Sequence, residues 1–249
     1  MVKEDVSIVE TSSMKKIRYC IIGVPDVGLV GAIAAGYIVR SLKMSETGHL
    51  ESDIFPPVMV VHDGDPKPPF RIYNKDDLTI IMSEIPLNPE ALSQTTHSIV
   101  DWAKSKNIEL LISITGIAVQ NRLEIDVPAV YGVGNTSSVK ELFTKADVQP
   151  FEEGFMAGLH ALIAKESTKK KISNLILLAQ SHYQYPDPAA AVSIINSLKK
   201  LLGLEIDTKE LLEQAEEIRL KTRELMQRTQ HSMEGMDKGQ EQEIPMMYV

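Results

Sequence analysis

The sequence predicts an α/β fold with a mostly parallel central sheet, and three observations carry that expectation. From Ile17 onward, short apolar runs alternate with longer segments of helical period, the order a parallel sheet with crossover helices demands. The run IRYCIIG, residues 17–23, is continuously apolar and stops at glycine, which reads as a strand buried on both faces. Asn88-Pro89-Glu90 and Asp187-Pro188 each join a capping side chain to a proline preset for a first helical turn.

The elements follow in order. Residues 28–42 form a helix rich in small residues, able to lie close against the sheet. PVMVV (57–61) and LTIIMSEI (78–85) are strands, separated by a loop, HDGDPKPPF, and a short RIYNK segment. The helix opened by Asn88 places Leu92, Thr95, Ile99 and Ala103 on one stripe beside Trp102 and ends by Lys106. Strands 108–116 and 129–134 come next, then a helix capped by Thr136 or Ser137, a helix over 154–165 and the strand NLILLAQ, 174–180. After Asp187-Pro188, apolar residues at helical spacing continue to Gly203. Asp207 with Glu210 resembles a capping box and opens a last helix to about Thr229, beyond which the polar, glycine-containing stretch predicts a disordered tail. Four parts result: an N-terminal extension at 1–16, an α/β domain at 17–206, a C-terminal helix at 207–230 and a flexible tail at 231–249.

Composition narrows the function. With 249 residues and a net charge of −8, the chain lacks the concentrated positive charge that coating nucleic acid requires. A single cysteine, Cys20, excludes an internal disulfide framework and suits a reduced, cytoplasmic setting. No apolar run reaches the roughly 20 residues of a membrane helix, so no membrane partner is expected.

Most candidate sites have a plain structural explanation. The turn Gly23-Val24-Pro25-Asp26-Val27-Gly28-Leu29-Val30-Gly31 could present backbone N–H groups to a phosphate, but Leu29 and Val30 stand where a P-loop needs Lys and Ser/Thr. Close helix-to-strand packing explains its glycines. The six histidines show no metal-ligand spacing, and His62 with Asp63 and Asp65 reads as a solvated acidic loop. His182, beside Tyr183 and Tyr185 and just after a strand, is the strongest small-molecule candidate. Thr115-Gly116 reads as a turn, Cys20 as inert packing, Glu152 and Glu153 as side chains pointing apart, and Lys169-Lys170-Lys171 as a solvated helix exit. No catalytic residue, metal ligand or cofactor is expected. Leu211, Ala215, Ile218, Thr222 and Leu225 could form a short coiled-coil seam or pack onto the chain's own domain.

The terminus differs from an ordinary acidic tail. It closes with Ile244-Pro245-Met246-Met247-Tyr248-Val249, an apolar and aromatic end with no local core to bury it. A groove with a basic pocket would receive its side chains and a terminal carboxylate. From Gln230 the remaining residues span on the order of 25 Å as a coil and roughly 65 Å fully extended.

Two features together resemble the proteasome assembly chaperone 2 (PAC2-type) family, particularly its archaeal homologues. One is IIGVPDVGLVGAIAAGYIV, residues 21–39, close to the family's G-x-P-x-V-G-L-V-G form with Asp26 where glycine is common. The other is Met247-Tyr248-Val249, which looks like the hydrophobic-tyrosine-any-residue (HbYX) ending of proteasome activators. The resemblance implies a three-layer α/β/α fold similar to nucleoside phosphorylases, a homo-oligomer and no ATPase activity. It further implies docking to the 20S proteasome α subunits, with Met247 and Tyr248 in a pocket between neighbours and the Val249 carboxylate on a pocket lysine. Two other readings stay open: a small-molecule enzyme or binding protein using a crevice near Gly28, Thr115 and His182, and an oligomeric scaffold joined by its last helix.

Overall fold

A computed structural model describes residues 5–14 and 17–236. The elements in chain order are β1 (Ser7–Glu10), β2 (Tyr19–Gly23), α1 (Val30–Ser41), β3 (Ser45–Glu51), β4 (Val60–His62), β5 (Asp65–Lys67), β6 (Phe70–Lys75) and β7 (Leu78–Ser83). Then follow α2 (Leu92–Ser105), β8 (Leu110–Ala118), β9 (Val130–Gly134), α3 (Ser137–Ala146), β10 (Gln149–Pro150), α4 (Gly158–Lys170), β11 (Asn174–Ser181), α5 (Pro188–Leu202), α6 (Lys209–Glu213) and α7 (Ala215–Glu234).

Among the described residues, nine strands form one sheet in the order β1-β3-β6-β7-β2-β8-β11-β9-β10. Its centre, β7-β2-β8-β11, is parallel, as the alternating pattern predicts. The flanks are antiparallel: β1, β3, β6 and β7 pair in that sense on one side, and β9 runs against β11 on the other. The cause lies in the connections. A parallel return needs a crossover of a dozen or more residues, usually a helix, whereas β8 and β9 are joined by a loop holding one 3₁₀ turn at Arg122–Glu124.

Period-two alternation divides each central strand between two cores. Ile21, Ile80, Ile112 and Ile114 pack against α1, α3 and α5. Cys20, Ile22, Ile81 and Leu111 face the opposite layer, where Ile99, Val100 and Ala103 of α2 meet Leu159 and Ile163 of α4. Both faces are covered, which gives the three-layer α/β/α arrangement.

Several local expectations shift. The stretch containing Asp63-Gly64 is a tight hairpin: β4 and β5 pair through Val61↔Pro66 and His62↔Asp65, and Asp63 and Gly64 take φ of 52° and 87°, the positive pair of a type I′ turn. RIYNK belongs to β6. Residues 7–10 of the N-terminal stretch form edge strand β1, and SETGHLE forms β3 despite its polarity, since it lies toward the sheet edge. Asn88 precedes a 3₁₀ turn and makes no side-chain cap, whereas Thr136 accepts from Val139 N at 3.2 Å and caps α3. The helix expected over 154–165 runs Gly158–Lys170. Lys170 at its exit pairs with Asp101 at 2.6 Å, consistent with a surface role for the lysine run. Asp207 and Glu210 form no reciprocal box; Asp207 accepts from Lys209 N at 3.0 Å, and the last helix breaks into α6 and α7, which continues to Glu234.

Candidate functional site

The signature turn after β2 is built by contact. A Cβ on Gly31 would lie 2.4 Å from Ile114 O, and one on Gly23 2.6 Å from the Cβ of Ala35, so α1 sits against β2 and β8 at a distance only glycine allows. Gly28 has φ 59°, and a Cβ there would fall 1.9 Å from Ser181 Oγ. Leu29, fully buried, shares the left-handed region at φ 53°, a conformation that costs a leucine on the order of 1–3 kcal/mol. The packing explanation of the glycines holds.

Asp26, at the tip of this turn, is only 5% exposed. It accepts a hydrogen bond from Thr115 Oγ1 at 2.9 Å, and His160 Nε2 lies 3.4 Å from the same carboxylate oxygen. Thr115 is therefore part of β8 rather than a turn, turned toward Asp26. His160 arrives from the first turn of α4, and no sequence pattern links it to Asp26 across 134 positions.

A second buried charge group stands beside the first. Arg122 grips Asp187 with two parallel bonds, Nε to Oδ2 at 2.6 Å and Nη2 to Oδ1 at 2.9 Å, their side chains 7% and 0% exposed. Asp187 also accepts from Ala190 N at 3.0 Å as the cap of α5, and from His182 N at 3.2 Å. The cap was readable from Asp187-Pro188; the arginine that latches the β8–β9 loop onto it was not.

His182 is half-buried, its ring edge-on to Tyr185 at 6.1 Å. Burial lowers its pKa; Asp187 opposes the shift, and Arg122 and Arg219 add to it. Gly28, Thr115 and His182 thus do converge on the strand C-termini. The crevice they would form is occupied by the chain itself, because Met226 and Met233 of α7 pack on Val27 and Leu29 with Tyr183 alongside. What remains beside Asp26, under Thr229 and Met233, is a cavity of about 20 Å³, room for a single water and far below a metabolite pocket.

Leu211 is buried under α5, but Ile218, Thr222 and Leu225 of the expected seam are only partly buried and line a cleft of about 570 Å³ between α7 and α1. The helix is held instead by Met226, Thr229 and Met233. Among the described residues, no group of three or more His, Cys, Asp or Glu side chains could hold a metal ion, and no helix is long and apolar enough to cross a membrane. Met247, Tyr248 and Val249 lie outside the described residues, as does the tail from residue 237; the described chain ends at Met236, beside Pro86 and Leu87.

Comparison with known proteins places this arrangement among relatives. The model of the PAC2 family matches residues 20–226. An uncharacterized protein of Methanocaldococcus jannaschii is 29% identical over 201 residues, covering 81% of this chain and 82% of its own length. The crystal structure of Pyrococcus furiosus PbaA, an archaeal homolog of proteasome-assembly chaperone, superposes with a TM-score of 0.85 at 28% identity, covering 91% of this chain and 98% of PbaA. Pyrococcus furiosus PbaB, an archaeal proteasome activator, shares the fold with a TM-score of 0.75 at 22% identity, covering 89% of this chain and 99% of PbaB.

Proposed function

The chain belongs to the PAC2 family, and from that premise we propose that it is an ATP-independent, non-enzymatic proteasome-binding protein, acting as a homo-oligomer in assembly or activation of the 20S core particle. The observation that carries this reading is the likeness to PbaA over almost the whole of both chains. The closed crevice supports it over the small-molecule reading, since α7 fills the space a substrate would need. Met247, Tyr248 and Val249 are the docking residues in this proposal, reaching the α subunits at the end of an acidic segment. An acidic tail approaching a basic pocket gains electrostatic steering, and several tails on one oligomer add avidity.

The test uses purified 20S particles. Pull-down and peptide hydrolysis are compared for the full chain, a version lacking residues 247–249 and Tyr248→Ala. The truncation is expected to abolish both signals, and Tyr248→Ala to weaken binding by about tenfold or more, as loss of an aromatic anchor does. Unchanged binding and stimulation by the truncated chain would sink the docking assignment.

A further inference from the structure

The β4–β5 hairpin has its polarity inverted. Val60, His62, Asp65 and Lys67 share one face, which is tied to the body where His62 meets Glu84 at 2.9 Å and Lys67 approaches Glu46 at 3.9 Å. The opposite face carries Val61 and its partner Pro66, and Met59 just precedes the strand; Val61 is 66% and Met59 55% exposed. An ordinary surface hairpin turns its apolar side inward. A two-stranded ribbon of its own sheet, marginal in water, that shows solvent its apolar side is built to be covered.

The chain also carries a surface that fits it. Between α7 and the β11–α5 loop runs a groove of about 430 Å³ lined by Tyr185, Leu220, Met226, Arg219 and Arg223, with no carboxylate among its described lining residues. Tyr185 is 64% and Leu220 72% exposed. Arg219 holds an outer ion pair with Glu216 at 2.5 Å, and Arg223 has no ion pair among the described residues. In a chain of net charge −8, a groove whose apolar floor is bordered by arginines and by Gln184, Gln227 and Gln230, without an acid, is matched to an apolar element with an acidic tip. The hairpin is such an element: Asp63 stands at the tip of its turn.

Geometry excludes closure within one chain. His62 lines the cleft shared with Ile218, Lys221 and Leu225, so the hairpin lies on that side of α7. The groove residues Leu220 and Arg223 follow Ile218 and Lys221 by two positions, about 200° around the helix, and occupy the far side. We propose that the hairpin of one copy docks in the Tyr185–Leu220 groove of the next, a head-to-tail contact that builds a ring where the rotation closes. This inference rests on the homo-oligomer reading above and names its surfaces.

Light scattering behind size-exclusion chromatography tests it on the full chain, Val61→Asp and Leu220→Asp, with circular dichroism as the folding control. The full chain is expected at the mass of several copies and each variant at the mass of one. An equimolar mixture of the two variants is expected at the mass of two copies, because each mixed pair keeps one intact hairpin facing one intact groove. If either variant fails to fold, Asp63→Lys and Arg223→Glu replace them: each alone is expected to weaken association at least tenfold, and the pair together to restore it. Variants that keep the parent mass, a mixture that stays at one copy, or a charge swap without rescue would overturn the contact while leaving the oligomer standing. A full chain at the mass of one copy would overturn both. Removing residues 247–249 is expected to leave every mass unchanged, so the tail assignment and the assembly contact fail separately.

Discussion

Arg122 and Asp187 illustrate how much one buried pair can organise. The carboxylate caps α5, orients His182 through its backbone N–H and holds the β8–β9 loop through the guanidinium, while Arg122 Nη1 also donates to Ile125 O at 2.6 Å. Removing one partner strands the other charge away from water. Arg122→Ala is therefore expected to cost about 3–5 kcal/mol in urea unfolding, most of it as penalty on the orphaned Asp187. His182 gives a pH-dependent counterpart. Burial holds its folded pKa below the ordinary 6.5, so the unfolded chain takes up the proton first as pH falls. Its contribution is present above about 6.5 and lost as pH falls through the lowered folded pKa; His182→Gln is expected to flatten that part of the stability-pH curve, measured by thermal melts from pH 8 to 5. At this scale the sequence exposed caps such as Asp187 and Thr136, because cap chemistry is local. It hid Asp26–His160 and Arg122–Asp187, because each joins residues whose neighbours in sequence give no hint of the partner.

Among the elements, α7 is the informative case. Its outer face is charged, with Glu217–Lys221 and Glu224–Arg228 pairs at 2.5 Å that add only a few tenths of a kcal/mol each. Tertiary anchoring comes mainly from Met226, Thr229 and Met233, in the C-terminal half. Met226→Ala with Met233→Ala is expected to release the helix without unfolding the sheet; hydrogen exchange should quicken across 215–234 while β2 and β8 keep their protection. Loosening of the whole domain instead would show α7 to be part of the main cooperative unit. The spacing of Leu211, Ala215, Ile218, Thr222 and Leu225 made the helix visible in sequence and marked the side that packs on the chain's own domain, but it stopped short of Met226 and Met233, which continue the stripe and, with Thr229, are the buried residues of α7. Strands followed a similar rule: β2, β7, β8 and β11 are buried on both faces and read as unbroken apolar runs, whereas β1 and β3 are half-exposed and carry no such run.

For the whole molecule, charge is unevenly placed. The C-terminal stretch from residue 231 carries Glu234, Asp237, Glu241 and Glu243 against Lys238, while the Tyr185–Leu220 groove has arginines and no acid. In the proposed docking, steering of the tail is a long-range effect that ions screen, with a Debye length of about 10 Å at 0.1 M salt and 3 Å at 1 M. Association with 20S particles is accordingly expected to slow several-fold between 0.05 and 0.5 M salt in stopped-flow or biosensor traces, with dissociation changing much less. Salt-independent association would argue for a purely apolar contact.

Cys20 sits at the middle of all this, fully buried between the sheet and the α2–α4 layer, its thiol pKa pushed far up by burial. A thiol so placed is silent to alkylating reagents until the central sheet itself comes apart. The chain thereby contains a built-in timer of global opening: the labelling rate of Cys20 under native conditions reports how often the whole core is breached, separately from any movement of α7 or the hairpin.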